Sequence, residues 1–215
     1  MVTEQKNIFI YGASGHAKVV MDIIERQGGL RIAAVIDDNP TLHGQSFFGY
    51  PVRGGRESLL QLHLQEGIEA GIIAIGNNHA RTVIAAWLAQ NGIKRIAAIH
   101  PSAQIGRETQ IGAGSVVMAG VVINSSTMIG ADVIINTGAT VDHDCAIGDS
   151  AHIAPGCHLC GNVSVGNGSF IGAGSIVIPG IRIGANVLVG AGSTVLSDIP
   201  SGARVAGSPC REINS

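Results

Sequence analysis

With 215 residues and 46% apolar side chains, the chain can bury a real core in one large or two modest domains, yet only 3% of it is aromatic and Gly numbers 31. That profile suits stacked coils with small-residue corners better than an ordinary globule. A net charge of −2, without a long basic run, speaks against nucleic acid or an anionic membrane as the main partner. No window reaches the ~20 apolar residues that cross a bilayer. The opening MVTEQKNIFIYGASG lacks the basic region, apolar core and cleavage site of a signal peptide, so cytoplasm is the expected location.

In chain order, Asn7-Ile-Phe-Ile-Tyr11 is a short apolar run that predicts a buried strand. The loop Gly12-Ala13-Ser14-Gly15-His16 follows. Then comes AKVVMDIIERQG, with Val19, Val20, Ile23 and Ile24 at helical spacing and Gly28 as a stop. A second strand, Arg31 to Ile36, ends in the turn Asp37-Asp38-Asn39-Pro40, and a third, Glu69 to Ile75, ends at Gly76-Asn77-Asn78. A helix from His79 to Gln90 is closed by Asn91-Gly92, and Arg95 to Ile99 reads as a fourth strand. Strands alternating with helices predict a small parallel, Rossmann-like α/β sheet over residues 1–99. Such sheets bind ligands beyond the carboxyl ends of their strands, where Gly12 to His16, Asp37-Asp38 and Gly76 all fall.

The glycine loop lacks the second glycine of a G-x-G-x-x-G fingerprint. It can hold a phosphate on the N–H groups of the following helix, or it can be a tight turn that needs Gly for its dihedrals. Asp37-Asp38, at the end of the second strand, tips the reading toward a nucleotide-type ligand and away from solvated turn carboxylates.

His100-Pro101-Ser102 hands over to a second domain, residues 100–215. From Ala103 to Asp198 the chain divides into sixteen hexads without an insertion or deletion. The third place is always Ile, Val or Leu, the first is small or aliphatic, and Gly falls almost wholly at places four and six. A six-residue period means a parallel β-helix. Three hexads make one triangular coil, so residues eighteen apart stack at ~4.8 Å. The third place then points inward and places four to six turn the corner, where Pro155 and Pro179 both sit at place five. In this frame Cys145 and Cys157 are first-place core fillers, which outweighs a metal or redox reading of Cys157-His158-Leu159-Cys160; only Cys160 points outward.

The fifth-place column Ser125, His143, Gly161, Pro179 puts a histidine beside the one glycine found at that place, and so beside a gap with room for a ligand. A corner histidine can simply be solvated. Here Asp142 and Asp144 flank it and can fix its tautomer and raise its basicity, and a second histidine, His152, follows. A whole triangle edge separates His143 from His152 in one chain. A site using both therefore lies in a groove between subunits, of the kind three-fold packing supplies.

The hexads, the segment Val141-Asp-His-Asp-Cys145 and the closing Val205-Ala-Gly-Ser-Pro209 together resemble the hexapeptide-repeat acyltransferases. YGASGHAKVV, IDDNP and AIGNN resemble one branch, the nucleotide-linked amino-sugar N-acetyltransferases of bacterial glycan synthesis, with the sialic-acid O-acetyltransferases close by. The resemblance covers nearly the whole chain. It implies a left-handed β-helix, a homotrimer, acetyl-CoA as donor, and a UDP- or GDP-linked 4-amino-4,6-dideoxy sugar as acceptor. By position, His143 matches the general base and Asp144 the acid that makes it more basic, a place where relatives carry Glu. His152 matches an acetyl-CoA contact, and Ala173 and Ala191 match backbone contacts along the pantetheine arm. Ser14, Gly15, His16, Asp37, Asp38 and Gly76 match the nucleotide-sugar pocket, and Asn136 a sugar contact.

Three alternatives stay open. O-acetylation of a sialic acid differs only in pocket detail. A metal enzyme using His143, His152 and His158 is disfavoured because His152 and His158, six apart, take equivalent places on adjacent faces, so no metal is expected. A non-catalytic nucleotide-sugar scaffold leaves the His-acid pair unexplained.

Overall fold

The computed structural model describes residues 5–68 and 70–213, and the chain divides within His100-Pro101-Ser102 into two compact units, 1–101 and 102–215. In the first unit, strand β1 (Lys6–Tyr11) buries Ile8 to Tyr11 completely. Helix α1 (Gly15–Gln27) buries Ala17, Val20, Met21, Ile23 and Ile24. Val19 falls off that stripe and is 40% exposed. Gly28, at φ 73°, ends the helix, its N–H reaching Ile24 O.

Strand β2 (Leu30–Ile36) matches the expected one. A 3₁₀ turn at Pro40–Leu42 follows it, then a small hairpin of β3 (Ser46–Phe47) and β4 (Tyr50–Pro51), and helix α2 (Arg56–Glu66). Nothing was assigned to that stretch from sequence. The helix buries only Leu59 and Leu62, while Leu64 is 80% exposed, so its apolar period is faint.

Strand β5 (Ala70–Ile73) is shorter than predicted; Glu69 lies outside the described residues. Helix α3 (Asn78–Gln90) is capped by Asn77, whose Oδ1 accepts the N–H of Ala80 at 2.9 Å. The expected fourth strand splits into β6 (Lys94–Arg95), which joins the sheet, and a separate Ala98–Ile99 strand that does not. The sheet runs β2-β1-β5-β6, parallel throughout. Its central strands are therefore near-continuous apolar runs.

The second unit is a triangular parallel β-helix. Its two-residue strands occupy the second and third places of each hexad and pair with the strand eighteen residues on, as in the series Val116, Ile134, His152, Phe170, Leu188, until the last coil, where Leu188 pairs with Arg204. The inward set is larger than the third place alone. First-place Ser115, Thr127, Cys145, Cys157, Ser169 and Ser175 are all buried too. Each donates its hydroxyl or thiol to a carbonyl fifteen residues ahead, as in Ser169 Oγ to Gly184 O at 2.7 Å and Cys157 Sγ to Gly172 O at 3.1 Å. Polar first-place residues thus enter the core satisfied. The Cys157-to-Cys160 segment has one thiol inside and one partly exposed.

The corners explain the glycines. Sixth-place residues are left-handed, including Ser126, Asp132, Asp144 and Asn162 at φ 57 to 60°, a conformation that Asn, Asp and Gly reach at least cost. Fourth-place glycines are required by close approach. A Cβ on Gly166 would lie 2.5 Å from Ala185 N in the next coil. Gly166→Ala should therefore cost about 1–3 kcal/mol, read as a lowered chemical-denaturation midpoint; an unchanged midpoint would contradict this packing.

Candidate functional site

The His143 corner is held from three directions. Thr127 Oγ1 donates to Asp142 O at 2.9 Å from within the core. Backbone N–H groups bracket the histidine, with Asp144 N to Ser125 O at 3.1 Å below and Asn162 N to His143 O at 3.0 Å above. Asp142 Oδ1 accepts both His143 N at 2.9 Å and Asn124 Nδ2 at 2.7 Å. The left-handed backbone at Asp144 turns its carboxylate back to the ring, where Oδ2 accepts from His143 Nδ1 at 2.7 Å. A proton on Nδ1 leaves the lone pair on Nε2, and Nε2 carries no hydrogen bond among the described residues.

Gly161 is buried, and a Cβ there would stand 2.6 Å from His143 Cε1 and 2.7 Å from Nε2. The imidazole therefore occupies the room expected for a ligand, and the missing side chain serves the ring's own placement. His143 remains 56% exposed at its side chain. The hydrogen bond it donates to Asp144 first, then the charge of Asp142, raises its pKa above the ordinary 6.5. Asp142 is itself held below the ordinary carboxylate value by its bonds from Asn124 and the His143 backbone. Burial raises the Cys145 thiol, so this core sulfur keeps its proton.

His152 lies on a different face of the prism. Its second-place side chain is only 8% exposed and meets Phe170 edge-on at 5.0 Å between ring centroids. Asn136 Nδ2 lies 3.1 Å from His152 Nε2, and Asn136 Oδ1 accepts from Thr137 N, which fixes the amide's orientation. The structure thus joins Asn136 to His152 and not to His143. Ala173 and Ala191, both exposed, stack on the corner that ends this same face. His158 belongs to another sheet, where its Nδ1 meets Thr140 Oγ1 at 2.9 Å. Among the described residues no three His, Cys, Asp or Glu side chains gather as a metal site, and no described helix is long and apolar enough to cross a membrane.

In the first unit a cleft of about 360 Å³ opens at the carboxyl end of the sheet. Asp37 and Asp38 line it with Tyr11, Arg56, Ile75 and His79, and Ala80, Val83 and Ile84 form an apolar side. Asp37 binds the loops together: Oδ2 accepts Ala13 N and Oδ1 accepts Asn39 N, both at 2.8 Å. Asp38 pairs with Arg56 at 2.9 Å, and Arg56 Nε also donates to Tyr11 OH at 3.1 Å. This exposed pair is worth about 0–1 kcal/mol, so it orients groups more than it stabilises the fold. Burial and Asp38 push the Tyr11 phenol well above 10. Arg56, Tyr11 and His79 were missed from sequence, since Arg56 opens the faint helix α2 and Tyr11 reads as core.

The glycine loop divides by residue. Gly12 is required by its φ of 113° and by Ala74 O, 2.9 Å from where a Cβ would sit. Gly15 has an ordinary φ and open space around it, so nothing within the chain demands glycine at that helix start. Ser14 caps α1 without a side-chain bond. His16 Nε2 is buried without a hydrogen-bond partner, and burial, with the charge of Arg81, lowers the ring's pKa to about 4.

Residues 7–88 match the PglD N-terminal domain family, and residues 162–197 match the bacterial transferase hexapeptide (six repeats). The chain is 40% identical over 115 residues to the UDP-N-acetylbacillosamine N-acetyltransferase of Bacillus subtilis (strain 168), covering 53% of this chain and about half, 52%, of that curated relative. Among solved structures, PerB from Caulobacter crescentus in complex with CoA and GDP-perosamine is 39% identical, with 97% of each chain covered and a TM-score of 0.92. The acetyltransferase domain of PglB from Neisseria gonorrhoeae FA1090, in complex with acetyl coenzyme A, is 36% identical, covering 98% of this chain and 100% of that one, with a TM-score of 0.89.

For the corner itself, Asp144→Asn removes the largest cause of the raised histidine pKa. The NMR titration midpoint of His143 should move down toward 6.5; an unmoved midpoint would show that Asp144 does not set it.

Proposed function

The chain belongs to the hexapeptide-repeat transferases that carry a PglD N-terminal domain, and from that membership we propose that it moves an acetyl group from acetyl-CoA to the 4-amino group of a UDP- or GDP-linked 4-amino-4,6-dideoxy sugar. Support comes from relatives named for nucleotide-sugar acetylation or solved with CoA and GDP-perosamine. The observation that carries the mechanism is the 2.7 Å bond from His143 Nδ1 to Asp144, which leaves Nε2 unbonded on a side chain that is 56% exposed.

The sugar amine attacks the thioester carbonyl, forming the N–C bond and moving the carbonyl π electrons onto oxygen. Nε2 takes the amine's proton in the same step, and Asp144 stabilises the imidazolium that results. The carbonyl then re-forms, the C–S bond breaks, and the CoA thiolate leaves, receiving the proton. A base of near-neutral pKa suits this step, and no acyl-enzyme is needed. The buried, protonated Cys145 fits direct transfer.

His152, Ala173 and Ala191 share a face and its corner, which suits an extended pantetheine arm along the prism, with Asn136 bonded to His152 beside it. His143 stands on another corner, so one acyl group meets both histidines only in a groove between neighbouring copies, as in a homotrimer. In the first unit, Asp37, Asp38 and the bare Gly15 helix start, with Ser14, His16 and Gly76, take the nucleotide. Cytoplasm, where acetyl-CoA is available, is the proposed location.

The test is CoA-thiol release from acetyl-CoA against a panel of UDP- and GDP-linked amino sugars and free sialic acids. Turnover is expected on a nucleotide amino sugar. His143→Asn should lose about 100- to 10,000-fold in kcat with its melting temperature kept. Full turnover in that variant would remove His143 from the mechanism, and turnover on sialic acid alone would redirect the substrate.

A further inference from the structure

Arg81 is the largest fully buried side chain among the described residues, at 0% exposure. It sits in the first turn of α3 and points back beneath the β5–α3 loop. There NH1 donates to Ile75 O at 3.0 Å and Gly76 O at 3.2 Å, and NH2 donates to Asn78 Oδ1 at 2.9 Å. Burying a guanidinium carries a desolvation cost that an apolar side chain would avoid, so its retention calls for more than packing. The loop it holds is the carboxyl end of β5. Ile75 of that loop lines the cleft with Asp37 and Asp38. The positive charge of Arg81 also acts on His16, whose Nε2 is buried without a partner in the glycine loop.

We propose that Arg81 is a positioning residue for nucleotide binding in the first unit: from beneath the cleft it fixes the backbone at Ile75 and Gly76, and its charge faces the buried imidazole of the glycine loop, so that both meet the ligand pre-shaped. The planar fork is essential to the first task, because it serves two carbonyls and an amide oxygen at once. A lysine at this place would be a point charge and could not span all three. Held uncharged by its burial first and by the Arg81 charge second, the ring can donate or accept one hydrogen bond at Nε2, the atom that the protein leaves without a partner. This inference rests on the first unit being the nucleotide site of the function proposed above.

The test uses the full-length chain, calorimetric titration with UDP and with GDP, and histidine NMR. Arg81→Gln, removing fork and charge, should weaken nucleotide binding about tenfold or more and raise the His16 midpoint only part of the way from about 4, because burial, the larger cause, remains. Arg81→Lys should weaken binding similarly while leaving the His16 midpoint low, a split that a loss of packing alone would not produce. A folded Arg81→Gln with wild-type affinity overturns the inference. Should Arg81→Gln fail to fold, wild-type affinity in Arg81→Lys overturns it and weakened affinity supports it. A wild-type chain that binds neither UDP nor GDP overturns the nucleotide reading of the domain, and this inference with it.

Discussion

In the β-helix, each strand reaches the next coil through parallel backbone hydrogen bonds in an eighteen-residue register, such as Thr140 N to Cys157 O and Asp142 N to Leu159 O at 2.8 and 2.9 Å. A slip of one residue would turn every inward side chain outward. The buried third-place Ile, Val and Leu residues, each worth roughly 1.5–3 kcal/mol when fully covered, therefore lock the register. The lock also fixes the corners, because a left-handed residue must recur at the sixth place. Asp144 takes its orientation from this constraint. The same backbone turn that closes the coil carries its carboxylate to His143.

Function then depends on small departures from the repeat. Asn124 and Asp142 share a fourth-place column, and Asp144 and Asn162 a sixth-place one. Within that frame His143 is the one fifth-place residue with an aromatic ring, and Gly161 is the coil-above residue that lets it stack. The core contributes too, since Thr127 and Cys145 donate to the carbonyls of Asp142 and Cys160 at the two levels of this corner. Rigid backbone below and above, with one exposed nitrogen left unbonded, is the arrangement a base needs. The first unit follows a related logic. Asp37 ties the glycine loop to the end of β2, and Arg81 ties the loop after β5 to α3.

Periodicity made the β-helix legible residue by residue, down to buried Cys145 and Cys157, because a six-residue pattern repeated sixteen times leaves little freedom of phase. Three strands of the parallel sheet were legible from apolar runs and turn residues, with ends off by a residue or two, whereas the fourth, expected over Arg95 to Ile99, keeps only Lys94–Arg95 in the sheet. Helix α2 was not, since only Leu59 and Leu62 face inward and the period never develops. The same silence hid Arg56, and Tyr11 was hidden by its place in an apolar strand. The space beside Gly161 was found from sequence, but its use was misjudged: spacing locates a gap, and only side-chain geometry shows the imidazole filling it. The pairing of Asn136 with His152 likewise depends on rotamers across adjacent strands, which linear spacing does not encode.

In the proposed transfer, the His143–Asp144 pair is the base that limits the rate. The most direct measurement compares the pH dependence of kcat/KM with the NMR titration of His143 in the same free enzyme. Because the histidine's pKa is raised, the ring is charged and inactive at low pH and is freed as pH rises through that value. On this mechanism kcat/KM climbs with pH through a midpoint above 6.5 that coincides with the His143 titration. A rate that is flat across the His143 midpoint would contradict it.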